Sequence, residues 1–240
     1  MSKFFIAAIL ATLSFSAVDA QDFDTSMSSY GLVDIQSIDN DILVELKYSS
    51  TDNFVGEDMY GNLERAYFEP SFADRVVKAQ QILKRRNPNY TLLIYDAARP
   101  ISVQRHMRKV VEGTQFEGFV ADGTKGGRHN YGVAVDLTIA QIDGSPLDMG
   151  AEFDDFSKAA SVKGTPDTDD PATRSIEVYR DYVLGLAERG IINLEAANNR
   201  LLLIEVMLEA GLYPYRREWW HFEEIISIKE TRDKYKLLDF

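Results

Sequence analysis

His129, Asp136, Glu218 and His221 are the residues of this chain whose types and spacing can do chemistry. They lie in two short segments, His129-x-x-Gly132-x-Ala134-x-Asp136 and Glu218-Trp219-Trp220-His221. A borderline-soft divalent cation such as Zn²⁺ takes neutral imidazole nitrogens and a carboxylate oxygen, and a catalytic zinc site keeps a position open for water. A further carboxylate beside that position can take the water proton. On this reading His129, Asp136 and His221 are the ligands of one Zn²⁺ and Glu218 is the general base, the constellation of a zinc hydrolase. The chain has three histidines and no cysteine, so cysteine nucleophiles and thiolate metal sites are excluded.

The elements around these residues must bring them together. Val133 to Ile139 is the clearest strand: alternation puts Val133, Val135, Leu137 and Ile139 on one face and Ala134, Asp136 and Thr138 on the other. Asp136 therefore points away from the apolar stripe. Gly126-Gly127 and Gly132 bracket His129 in a turn that feeds this strand and lets His129 and Asp136 converge. Glu218 and His221 would have opposite parity in a strand, so the chain must bend between them. The third histidine, His106, lies in a basic helical stretch with no carboxylate near it in sequence and is read as structural.

Further strands are expected at Leu32 to Ile35, Ile42 to Tyr48, Thr91 to Tyr95 and Trp219 to Ile228. Helices are expected at Ser71 to Arg86 with Ser71 as cap, at Ser102 to Val111, and at about Ala172 to Arg189 and Leu194 to Ala210, with Gly190 and Gly211 as stops. Gln21 to Tyr30 reads as a polar leader, Ser49 to Gly61, Gly113 to Gly127 and Ile142 to Asp170 as loops, and the C-terminal end as a charged tail. Strands and helices are segregated rather than strictly alternating. This predicts an α+β fold with a largely antiparallel central sheet flanked by helices.

With 240 residues, 45% hydrophobic and 27% charged, the chain has the composition of a globular protein rather than a disordered one. A net charge of −12 argues against nucleic acid as a partner, because phosphate binding needs a basic face. Lys3 followed by the apolar or small run from Phe4 to Val18, then Val18-Asp19-Ala20, reads as a signal peptide cleaved before Gln21. The apolar run is shorter than the roughly 20 residues that span a bilayer. The expectation is a signal peptide over residues 1–20 and a catalytic domain over 21–240, exported to the periplasm or secreted, without stable membrane association after cleavage.

The two motifs resemble the Ser-x-His-x-x-Gly-x-Ala-x-Asp and Glu-x-x-His pair of the D-alanyl-D-alanine dipeptidases of the VanX type. These are zinc D,D-peptidases related to D,D-carboxypeptidases and to the zinc domain of hedgehog proteins. Other stretches agree: Lys47-Tyr48 before Asp52-Asn53-Phe54-Val55-Gly56, Tyr95-Asp96-Ala97-Ala98-Arg99-Pro100, and Met149-Gly150 before Phe153-Asp154. The similarity runs from about Ile42 to His221. It implies a hedgehog/D,D-peptidase-like fold, Zn²⁺ on His129, Asp136 and His221, Glu218 as catalytic base, and hydrolysis of a small D,D-dipeptide such as D-Ala-D-Ala. It further implies that Arg99 stabilises the transition state, that Tyr48 and Asp154 lie at the substrate end, and that Asp96 orients Arg99 or its loop. One departure stands out: the family has Ser where this chain has Gly127, which removes a hydroxyl from the pocket.

Two alternatives use the same metal residues. A zinc D,D-carboxypeptidase or endopeptidase would act on longer peptidoglycan peptides through an open cleft. A non-catalytic zinc-binding module would need no base beside the metal, which Glu218 argues against.

Overall fold

The computed structural model describes residues 22–163 and 174–240. In chain order the elements are helix α1 (Phe23–Ser29), strands β1 (Val33–Asp34), β2 (Leu43–Val44) and β3 (Tyr67–Phe68), helix α2 (Pro70–Arg86), strand β4 (Tyr90–Asp96), helix α3 (Ile101–Val111), strand β5 (Ala134–Gln141), helices α4 (Ile176–Glu188) and α5 (Leu194–Ala210), strands β6 (Tyr213–Pro214) and β7 (His221–Glu223), and helix α6 (Ile228–Lys234). Among the described residues, one sheet has the order β2-β4-β5-β7-β6 and a second pairs β1 with β3. Only β2 runs parallel to its neighbour, β4; the other pairs are antiparallel. The fold is α+β with a mostly antiparallel sheet, as the segregation of elements predicts.

Helix α2 forms where the apolar period requires it, burying Phe72, Val76, Ala79 and Leu83. Its cap is Glu69 rather than Ser71: the Glu69 carboxylate accepts from the Ser71 and Phe72 amides, and Pro70 takes the first helical position. Helix α5 starts on Asn193, whose side chain accepts from the Ala196 amide, and stops at Gly211, which adopts φ 87°. Helices α2 and α5 pack on each other, α2 against β4 and α5 against β5, with α4 on α5. Strand β5 is buried on both faces: Ala134, Asp136 and Thr138 are as enclosed as Val135, Leu137 and Ile139. Both faces of the strand are therefore covered, the one carrying Asp136 included.

Three expectations are corrected at element level. The polar leader contains α1, which Asp22 caps by accepting from the Thr25 amide; Gln21 itself lies outside the described residues. The strand expected from Ile42 is cut to β2, and Tyr48 rides on a 3₁₀ turn at Lys47–Ser49. The strand expected from Trp219 is cut to β7, after which Ser227 and Glu230 form a reciprocal capping box that starts α6 inside the supposed tail. The expected signal peptide falls outside the described residues, as do Ala172 and Thr173 at the start of the helix expected at about Ala172 to Arg189. Among the described residues no helix is long and apolar enough to cross a membrane.

Candidate active site

Strand register explains how distant residues meet. Asp136 of β5 lies directly opposite His221 of β7, so both side chains stand on one face of the sheet. On the other side of β5, Ile94 pairs with Leu137 and then Asp96 pairs with Asp136, leaving Tyr95 as an extra residue in β4. This bulge shifts β4 by one residue and brings Asp96 onto the face of Asp136. Asp96, Asp136 and His221 thus form one row across three strands.

His129 reaches the row from a 3₁₀ turn, Arg128–Tyr131, that ends at Gly132 with φ 70°. A side chain at Gly132 would come within 3.0 Å of the Glu69 amide nitrogen, so both conformation and space demand glycine there. The Arg99 amide donates to the His129 carbonyl at 3.0 Å, and the Asn130 side-chain amide donates to the Arg99 carbonyl at 2.8 Å. The turn is thereby fixed to the end of β4. Glu218 sits before a turn at Trp219–Trp220, and the His221 amide returns to the Glu218 carbonyl at 3.4 Å. That is the bend which the parity of the two residues requires.

The donor atoms converge. His129 Nε2 lies 3.2 Å from His221 Nδ1 and 3.5 Å from Asp136 Oδ1, and His221 Nδ1 lies 2.9 Å from Asp136 Oδ1. Zinc–ligand bonds of about 2.0–2.2 Å arranged tetrahedrally place neighbouring donors about 3.3 Å apart, so these spacings fit one ion. The outer ring nitrogens are also fixed. His129 Nδ1 is 2.7 Å from the Ala97 carbonyl, which can only accept, so Nδ1 carries a proton and Nε2 is the nitrogen that would face a metal. His221 Nε2 is 3.2 Å from Glu223, and Glu223 is held in turn by Arg128 at 3.2 Å. Glu218 Oε2 lies 3.9 Å from His221 Nδ1, beside the triad but outside it.

Electrostatics separate the carboxylates. Burial opposes ionisation of Asp136, but the His129 charge and hydrogen bonds from both imidazoles outweigh it and hold Asp136 well below the ordinary range. Burial raises Glu218 to about 7; His221 and His129 pull it down while Asp136 pushes it up. For His221, burial favours the neutral ring, yet hydrogen bonds to Asp136 and Glu223 raise it to about 10 in the metal-free protein. The ring is then an imidazolium at pH 7, and a metal ligand must lose that proton. Metal binding at pH 7 should release about one proton from His221. Calorimetric titration in two buffers of different ionisation enthalpy measures this, and equal heats in both would show that His221 is already neutral.

A cavity of about 420 Å³ opens on this row. Tyr48, Arg99, His129, Asp136, Asp154, Glu218 and His221 line it, and Asp96 lies behind Arg99. Arg99 is buried: its Nη2 and Nε bond Asp96, its Nη1 bonds Gln104 at 2.9 Å, and its guanidinium lies 5.1 Å from the Tyr48 ring centre. Asp96 also accepts from the Tyr60 hydroxyl at 2.6 Å. The Tyr48 hydroxyl is 3.1 Å from both Asp154 oxygens. Asp154 has φ 62°, the one positive φ outside glycine among the described residues, a costly conformation held by its surroundings. Its loop is clamped: Arg200 donates to the Met149 carbonyl, Trp219 Nε1 donates to the Ala151 carbonyl at 3.1 Å, and Gly150 gives the close approach to Ile192. Burial and then the Asp136 charge push the Asp154 carboxyl well above the ordinary range, against the pull of Tyr48 and Arg99.

With this geometry in place, comparison with known proteins places the chain. The family described as D-ala-D-ala dipeptidase, Peptidase M15, matches residues 28–175 and 184–236. The chain belongs to this D-Ala-D-Ala dipeptidase family of metallopeptidases. It is 31% identical over 192 residues to a D-alanyl-D-alanine dipeptidase of Escherichia coli (strain K12), covering 80% of this chain and 83% of the relative. A D-alanyl-D-alanine dipeptidase of Synechocystis is 27% identical over 180 residues (62% and 66%), and one of Enterococcus faecium is 24% identical over 212 residues (80% and 90%).

Several residues of this dipeptidase-family site are not singled out by sequence reasoning. Glu223 had a signal, since His221-x-Glu223 in a strand puts both on one face; Tyr60 and the pairing of Arg128 with Glu223 had none, because the partners are distant in sequence. His106 is paired after all, Nε2 to Glu57 Oε2 at 2.8 Å, on the exposed surface. At Gly127 an added Cβ would meet only the Ala121 Cβ, at 3.6 Å. The hydroxyl that the motif resemblance leads one to expect there is absent, and no other atom crowds the position.

Proposed function

We propose that this protein is a zinc-dependent D,D-dipeptidase that hydrolyses D-Ala-D-Ala or a closely related dipeptide. The observation that carries the reading is the convergence of His129 Nε2, Asp136 Oδ1 and His221 Nδ1 at tetrahedral spacing, with Glu218 beside them in the same pocket. Two imidazoles and one carboxylate are the donor set of a catalytic zinc site. Bound there, zinc supplies Lewis acidity to the attacking water and the scissile carbonyl.

The chain's own residues do the rest. Glu218 accepts the proton of the attacking water and passes it to the leaving amine. Arg99, fixed by Asp96 and Gln104, holds a permanent positive charge at the oxyanion that develops on the carbonyl. Asp154, with Tyr48 donating to it, receives the free ammonium of the dipeptide: an arriving cation supplies the counter-charge that this buried carboxyl lacks. Recognition of a free amino terminus favours dipeptides over the interior of longer peptides. Residues 1–20 support export, so the substrate would be met outside the cytoplasm, where peptidoglycan fragments are available.

A substrate panel tests the reading. The mature protein should cleave D-Ala-D-Ala with zinc present, lose that activity with chelator, and leave L-Ala-L-Ala intact. Efficient removal of the last residue from a wall pentapeptide would transfer the protein to the carboxypeptidase reading. Bound zinc without cleavage of any substrate would favour the non-catalytic module.

A further inference from the structure

Beside its titratable groups the pocket has a wall that the proposed chemistry does not use. Phe54, Phe119 and Phe156 line the cavity. Phe119 stacks on Phe156 with centres 4.4 Å apart, Phe54 meets Phe156 edge-on at 5.1 Å, and Phe116 backs Phe54 at 5.8 Å. None of the four is fully buried. They come from three separate segments, so no single element's amphipathic period accounts for them. Aromatic rings gathered around a cavity and left partly open to it are the usual lining of a site that takes an apolar group. The cavity, about 420 Å³, falls in the range of about 300–1,000 Å³ that holds drug-sized ligands, more room than two methyl side chains fill.

The wall has a definite place along the bound peptide, given the dipeptidase reading on which this inference rests. Phe54 packs edge-on against Tyr48 at 6.2 Å, and Tyr48 bonds Asp154, the group assigned to the substrate ammonium. The rings therefore flank the amino-terminal residue of the substrate. We propose that the pocket takes D,D-dipeptides whose amino-terminal residue bears a bulky apolar side chain, with Phe54, Phe119 and Phe156 as the subsite for it.

The test is calorimetric affinity, measured on zinc-loaded Glu218→Gln protein so that ligands are not consumed. D-Phe-D-Ala should bind more tightly than D-Ala-D-Ala by about tenfold or more, the effect of burying a side chain of that size. Adding Phe156→Ala should reduce this ratio at least about threefold through lost contact area. Phe156→Leu, which keeps apolar bulk, should preserve most of the ratio and shows whether contact or folding is responsible. Equal or weaker binding of D-Phe-D-Ala overturns the proposal, and so does an advantage found only for D-Ala-D-Phe. Turnover by the wild-type protein is read separately. Tight binding of D-Phe-D-Ala without hydrolysis of any dipeptide would remove the dipeptidase reading and leave the apolar subsite standing.

Discussion

Glu218→Gln is expected to keep zinc at full occupancy and to lose turnover by about 10²–10⁴-fold, the range for removal of a general base. Metal is retained because Glu218 lies outside the donor triad, 3.9 Å from His221 Nδ1, whereas the ligand atoms approach one another more closely. The amide keeps the shape of the side chain but cannot accept the water proton. The pH profile adds a second readout. In the metal-free site Glu218 is raised to about 7 by burial, and a divalent cation in the triad lowers it from there by direct attraction. Glu218 should thus be ionised at neutral pH once metal is bound, and wild-type turnover is expected to fall on the acid side as the carboxylate takes up a proton. That acid limb should vanish in Glu218→Gln. Near-native turnover in the variant would assign the base elsewhere.

Arg99→Gln is expected to lose about 10²–10³-fold in kcat, the usual effect of removing one oxyanion-stabilising donor. It should also lower the melting temperature. Asp96 is fully buried and its counter-charge is Arg99; breaking one side of such a pair costs about 3–5 kcal/mol. The two effects separate in Arg99→Lys, which retains the charge but not the fork that bonds Asp96 and Gln104 together. This variant should recover part of the stability and little of the turnover. Steady-state kinetics beside thermal melts decide the matter. A well-folded Arg99→Gln protein with native kcat would leave Arg99 as a purely structural residue.

The meeting of His129, Asp136 and His221, with Glu218 beside them, is legible in the sequence because each lies in a short segment whose local geometry is nearly forced. Gly132 and the Val133–Ile139 alternation locate Asp136, and the Glu218-x-x-His221 spacing announces a turn. What decides the rest is pairing between distant segments. The bulge at Tyr95, which brings Asp96 beside Asp136, exists only in relation to β5. Tyr60 and Arg128 act on Asp96 and Glu223 across long sequence separations. The aromatic wall joins three loops that each read simply as polar or glycine-rich. Local errors have local causes: Glu69 wins the α2 cap because Pro70 must take the first helical position, and Ser227 with Glu230 starts a helix where charge alone reads as a tail.

Gly127 sits where the fold places no demand on residue type. The turn around it is held by the Gly127 amide donating to the Asn130 side chain at 2.8 Å, an interaction that needs no particular residue at 127. Ordinary backbone angles and an open neighbourhood mean that the fold does not demand glycine there, unlike at Gly132. The missing hydroxyl is thus a feature of the pocket rather than of the scaffold.

Stepwise return of zinc to the chelated protein, reading bound metal and D-Ala-D-Ala turnover in the same samples, tests the central claim most directly. Turnover should rise in proportion to bound zinc and level off at about one ion per chain, the number that a single three-residue donor set holds. Replacing His129 or Asp136 should abolish both together. Full turnover in metal-free protein, or tight stoichiometric binding that leaves His129 and Asp136 dispensable, would contradict the account.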